Sequence, residues 1–188
     1  MEIEPCCFSR QLSEVLSGMT DERHSIVSIY NTGEWTLAQL LSWMAGNGTD
    51  IRLLVARPTL SQTTIEALAL LLDKTTVNSQ RKTTHVIRRL EIVTEVDQKT
   101  LSLLIEFLSP YGDRVRIAHC IHRTHLLYLN PDRQRLPLMV LGELPESKSH
   151  ADCVCVMSNN PSFCEDAVGP IRGLMRVNTV KKRLVSLT

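Results

Sequence analysis

Two hydrophobic periods take turns along this chain, and few architectures accept both. Short branched runs, Ser25–Tyr30, Ile51–Ala56 and Val115–Cys120, read as strands. Between them Leu37, Leu40, Leu41 and Met44 recur at i, i+3, i+4 and i+7, and Leu101, Leu104, Ile105 and Leu108 repeat that spacing. Each set is one apolar stripe on a helix. Strand, helix, Gly46-Asn-Gly48 turn and strand over Ser25–Ala56 form a βαβ unit, which runs parallel and right-handed. The expected fold is therefore α/β, with a mixed, largely parallel sheet sandwiched between helices.

The remaining elements follow from their end signals. Ser9–Gly18 reads as a short helix, and Gln62–Lys74 as another with Ile65, Leu68, Leu71 and Leu72 inward. Thr36, Ser61 or Thr59, and Asp97 are the expected N-caps, and Pro110–Asp113 stops the third helix. Lys74–Thr84 is polar and reads as an exposed loop, and His85–Thr94 as a strand. Thr124–Leu129 and Pro137–Gly142 make a hairpin with a long loop, and Cys153–Met157 a last strand. A final helix starts near Ser162, with Phe163, Ala167, Ile171 and Leu174 on one side and a kink or break at Gly169-Pro170. A length of 188 residues fits a single domain spanning 1–188, in which 178–188 is a basic tail.

The formal charge of +1 means that any nucleic-acid or membrane contact must come from a local patch. No apolar run reaches the roughly 18 residues of a membrane span, and Met1-Glu-Ile-Glu-Pro lacks a signal-peptide layout, so a cytoplasmic protein without membrane contact is expected. Six cysteines are too sparse for a disulfide framework and read as small buried hydrophobes. His119, Cys120, His122 and His125 crowd one short stretch. On an extended strand His122 points away from the other two, so a zinc site would need a further ligand such as Cys153 or Cys155. Ordinary strand-end histidines are the better reading, with no metal and no cofactor. Arg81, Lys82, Arg88, Arg89, Arg114, Arg116, Arg123 and Lys181–Arg183 could bind a phosphate backbone if they share a face. Aromatic residues are only 4% of the chain, so no base-stacking platform is evident.

Over roughly Ser9–Val177 this organisation resembles the phospholipase D-like phosphodiesterase superfamily. Asp50-Ile-Arg-Leu-Leu-Val resembles the family's second strand, and Arg114–His119 the strand before its motif. Arg123–Asn130 falls where the family carries His-x-Lys-x4-Asp, and Val140–Pro145 where it carries a strand ending in Gly-Ser-x-Asn. The resemblance puts Arg123 at the nucleophile position, His125 at the Lys position, Asn130 at the Asp position and Glu143 at the Ser position, beside Gly142. No register restores the motif. Arg stays protonated and cannot attack phosphorus, and a carboxylate at Glu143 would repel a phosphate. The resemblance thus implies a non-catalytic domain that binds phosphate or nucleic acid or serves assembly, with Arg123, His125, Asn130, Gly142 and Glu143 lining one cleft. It also implies a homodimer paired across that cleft. The competing expectation is an active phosphodiesterase or nuclease that uses a reassigned His122 or His125.

Overall fold

The structure is a computed structural model that describes residues 27–31, 36–46, 51–77, 83–130, 137–144 and 153–180. Helices form where stripe and cap coincide. In α1 (Leu37–Gly46), Thr36 Oγ1 accepts from the Gln39 N–H at 3.3 Å and Gln39 Oε1 accepts from the Thr36 N–H at 2.9 Å. This reciprocal box satisfies two donors that the helix cannot. Ser61 Oγ caps α2 (Gln62–Asp73) by accepting from the Thr64 N–H at 3.2 Å. Asp97 caps α3 (Gln98–Leu108) by accepting from the Thr100 N–H at 2.8 Å. After α3 a 3-10 turn, Ser109–Arg114, ends the helix at Gly112, whose φ of 52° suits glycine. Asn160 Oδ1 accepts from the Ser162 and Phe163 N–H groups and starts α4 (Pro161–Asn178), with Pro at its first position.

In chain order the strands are β1 (Val27–Asn31), β2 (Ile51–Arg57), β3 (Thr75–Val77), β4 (Thr83–His85), β5 (Ile87–Thr94), β6 (Val115–His119), β7 (Leu126–Asn130), β8 (Leu138–Gly142) and β9 (Cys153–Ser158). Seven form one sheet, ordered β1-β9-β8-β7-β2-β5-β6, and β3-β4 is a separate hairpin. The larger of two cores joins α1, α2 and α3 to alternate residues of the sheet, Ile51, Leu53 and Val55 in β2 and Leu90 and Ile92 in β5. The intervening residues Leu54, Ala56, Val93, Ala118 and Leu126 face α4, against Cys164, Val168, Ile171 and Met175. The period of two thus divides one sheet between two cores.

The α/β class and the mixed sheet are as expected, but parallel pairing does not dominate. Among the described residues only β2–β5 and β5–β6 are parallel, while β1–β9, β2–β7, β7–β8 and β8–β9 are antiparallel. The β7–β8 hairpin turns the chain within the sheet, and β9 and β1 continue that sense. β1 and β2 run in the same direction, yet β9, β8 and β7 lie between them, so they are not neighbours as the βαβ reading implied.

Other differences are local. The polar stretch after α2 is not simply a loop, since Thr75–Val77 pairs with Thr83–His85. Threonine is as much at home in a strand as in a turn. α4 runs unbroken through Gly169 and Pro170, both exposed, where water can take the carbonyl that the proline leaves free. Its buried stripe is Cys164, Val168, Ile171 and Met175; Phe163, Ala167 and Leu174 are only half-buried at its margin. The helix expected over Ser9–Gly18 and residues 181–188 of the basic tail lie outside the described residues. Among the described residues no helix is long and apolar enough to cross a membrane.

Candidate functional site

Polar residues collect in two places, at opposite ends of the same strands. The first is the edge where β2, β5 and β6 end and β7 begins. Arg57, at the end of β2, is buried, and one guanidinium nitrogen donates to the Leu144 carbonyl at 2.8 Å. Thr94 Oγ1 donates to the Pro58 carbonyl at 3.4 Å, and the Cys120 N–H donates to the Thr94 carbonyl at 3.0 Å. His122 is 8% exposed. The Thr124 N–H donates to its Nδ1 at 3.2 Å, which makes Nε2 the protonated nitrogen that donates to the Val93 carbonyl at 3.1 Å. Burial holds the His122 pKa below its usual value, against the opposing pull of the Val93 carbonyl, the Glu95 carboxylate and the Arg57 backbone. Its one ring lone pair is occupied. Burial, aided by Glu95, raises the Cys120 thiol, so a reactive thiolate is not formed there.

The rest of this edge comes from the β7–β8 hairpin. The Gly142 N–H donates to the His125 carbonyl at 3.0 Å, and Gly142 has a φ of 128° that favours glycine. His125 is half-buried with Nδ1 shielded from solvent, while Arg123 and Glu143 are exposed. The Glu143 carbonyl accepts from Cys155 Sγ at 3.7 Å.

The second place is a cleft of about 740 Å³ on the α4 face, at the starts of β2, β5 and β6. Arg52, Arg89 and Arg116 each precede apolar residues of the α4-side core by two or four positions, so the pleat aims all three at α4. Arg52 and Arg89 are register partners on neighbouring strands, as are Glu91 and Arg116. From the helix come Glu165, Arg172, Arg176 and Thr179, at i, i+7, i+11 and i+14 of one face. Asn130, opposite Arg52, and Tyr128 complete the lining.

Two of the five arginines in the cleft are already partnered. Arg89 pairs with Glu91 at 3.2 Å, and Arg172 pairs with Glu165. Arg172 also sits 5.8 Å from the Tyr128 ring centroid, and the Tyr128 hydroxyl donates to Glu165 at 2.9 Å. Burial, with the Glu165 carboxylate beside it, pushes the Tyr128 hydroxyl far up, so it stays a donor. No described carboxylate pairs with Arg52, Arg116 or Arg176, all of them exposed.

The residues expected to share one cleft are therefore divided. Arg123, His125, Gly142 and Glu143 stand at the first edge. Asn130 lies five residues down β7 from His125, roughly 17 Å away at strand rise, and lines the arginine cleft instead. Of the basic residues singled out in the sequence, Arg89 and Arg116 reach the cleft, whereas Arg114 donates across to the Leu72 and Ile87 carbonyls at 2.8 and 2.6 Å. Arg172 and Arg176 carry no signal in the sequence, and Arg52 enters it only as the arginine of the family-like strand Asp50-Ile-Arg-Leu-Leu-Val. The histidine cluster is dispersed, with His119 Nε2 on the Val96 carbonyl at 2.8 Å. Among the described residues no three His, Cys, Asp or Glu are grouped to hold a metal ion.

Solved structures share this arrangement of strands and helices. Over 83% of its length the chain superposes on 96% of Nuc from Salmonella typhimurium, a phospholipase D family member, with a TM-score of 0.51 at 12% identity. The fold is phospholipase D-like. Polyphosphate kinase from Porphyromonas gingivalis matches 93% of the chain at 15% identity and a TM-score of 0.54, but the chain spans only 27% of that protein. Phosphatidylserine synthase from Haemophilus influenzae Rd KW20 matches 82% of the chain at 12% identity and a TM-score of 0.50, over 39% of its own length. By sequence, no family model and no curated protein matches the chain. In this phospholipase D-like fold the edge with Arg123 and Gly142 is where the resemblance assigns the family's motif, and the arginine cleft lies at the other end of the sheet.

Proposed function

We propose that this is a non-catalytic phospholipase D-like domain that binds phosphate-bearing ligands, nucleic acid among them, and serves as a binding or assembly module. The observation that carries the reading is the state of the motif edge. The resemblance assigns Arg123 to the nucleophile position, and the adjacent His122 has its only lone pair taken by the Thr124 N–H. Attack on phosphorus needs a free imidazole lone pair, and stabilisation of the developing charge needs a cation in place of the Glu143 carboxylate. What remains suited to phosphate is guanidinium, which stays charged and offers paired donors. Pairing of two chains across the Arg123 edge and a cytoplasmic location belong to the same reading.

The test is an assay of the pure protein on a phosphodiester and on DNA, with and without chelator, beside calorimetry with inorganic tripolyphosphate. The reading expects binding without turnover. Turnover that His125→Ala abolishes would overturn it in favour of a phosphodiesterase with a reassigned histidine. Sedimentation that finds only monomer would remove the dimer.

A further inference from the structure

We infer that the arginine cleft between the sheet and α4 is a docking groove for the phosphodiester backbone of single-stranded nucleic acid, separate from the motif edge. The inference rests on the phosphate-binding reading above and assigns it a place and a ligand.

The argument starts from what the fold would do without a ligand. Arg52 and Arg89 lie side by side on neighbouring strands, and like charges so placed repel. Arg89 is relieved by Glu91 and Arg172 by Glu165. Arg52, Arg116 and Arg176 have no such partner among the described residues, yet α4 brings the third of them over the strands that carry the other two. Three uncompensated guanidiniums around one concavity oppose the fold and favour an anion with several charges.

The remaining lining narrows the anion. Tyr128 is 2% exposed, with Arg172 over its ring, so no aromatic face is open for a base to stack on. Recognition is then of backbone, with Asn130 and Thr179 as added polar partners. A duplex carries its phosphates on a convex surface that does not enter a groove between a sheet and a helix. A single strand does, and it follows the line from Arg52 to Arg116 across β2, β5 and β6. Binding of this kind is indifferent to sequence and steep in salt. Three phosphates neutralised on a single strand give a slope of log K against log salt of roughly −2.

The experiment is fluorescence anisotropy of the full chain with a labelled single-stranded oligonucleotide of mixed sequence, at several salt concentrations. Arg116→Glu and Arg176→Glu are each expected to weaken binding at least about tenfold, and Arg116→Ala to reduce the salt slope by roughly 1. Arg88→Ala, next to Arg89 but not lining the cleft, is expected to bind as wild type. Because Arg116 and Arg176 are exposed, these variants are expected to fold, which circular dichroism checks. Wild-type affinity in both charge-reversal variants overturns the inference. So does loss of binding in Arg123→Ala with the cleft variants unaffected, which would place the ligand at the motif edge and leave the proposed function standing. Tripolyphosphate binding without oligonucleotide binding likewise removes the inference alone, whereas binding of neither removes both.

Discussion

The motif edge and the arginine cleft sit at opposite ends of the same strands and treat their polar groups in opposite ways. At the edge, Arg57 and His122 are buried and tied to backbone carbonyls. In the cleft, Arg52, Arg116 and Arg176 are exposed and lack a described carboxylate partner. A polar group that satisfies the backbone stabilises the fold and is thereby withdrawn from chemistry. A charge that the fold leaves uncompensated beside like charges opposes stability and remains available to a ligand. On the proposed reading, local bonding rather than place in the phospholipase D-like fold decides which region meets a ligand.

The largest effect should come from the edge. Arg57→Ala removes the guanidinium that holds the Leu144 carbonyl and should lower stability by about 3 kcal/mol in urea unfolding. A loss under about 0.5 kcal/mol would mean that the edge is not structural. His122→Ala leaves the Val93 carbonyl and the Thr124 N–H without their partner and should remove about 2 kcal/mol.

The same histidine makes the edge sensitive to acid. Its folded pKa lies below the ordinary histidine value of 6.5, so the unfolded chain takes up the proton first. The neutral ring's stabilisation is complete above pH 6.5 and is lost as pH falls through the folded pKa. Glu95 faces the ring and moderates the loss. Urea midpoints measured down the acid limb should fall less steeply in His122→Asn than in wild type. Parallel slopes would show that the ring is not held neutral by burial.

Smaller effects belong to the cleft. Tyr128→Phe removes the bond to Glu165 at the cleft floor and should lower stability by about 1 kcal/mol. Arg52→Gln relieves the repulsion with Arg89 and should raise stability by a few tenths of a kcal/mol while weakening oligonucleotide binding. A destabilised Arg52→Gln would mean that this guanidinium has a structural role, and the contrast between the two regions would fail.

Much of the fold was legible in the sequence because its signals are local. The stripes of α1, α2 and α3 and the caps Thr36, Ser61 and Asp97 need only neighbouring residues to be read. Strand order is not local. The sequence placed β1 beside β2 because they are consecutive, but the β7–β8 hairpin and β9 fill the space between them. α4 was read one position out along most of its face, because half-buried Phe163 and Leu174 look as apolar as buried Cys164 and Met175. Asn130 was assigned to the motif edge by motif position, although strand rise alone puts it far from His125. The arginine cleft was half written in the text. Arg52-x-Leu54, Arg89-x-Glu91 and Arg116-x-Ala118 alternate as strands should, but only the adjacency of β2, β5 and β6 makes them one surface.

The most direct test of the contrast is residue-resolved. Backbone amide shifts of the labelled protein can be followed by NMR as a single-stranded oligonucleotide is added. The account predicts that the shifts concentrate at Arg52, Arg89, Arg116, Asn130 and Arg176 and spare His122, Arg123, His125 and Gly142. Shifts confined to the second group, with the first unmoved, would contradict it.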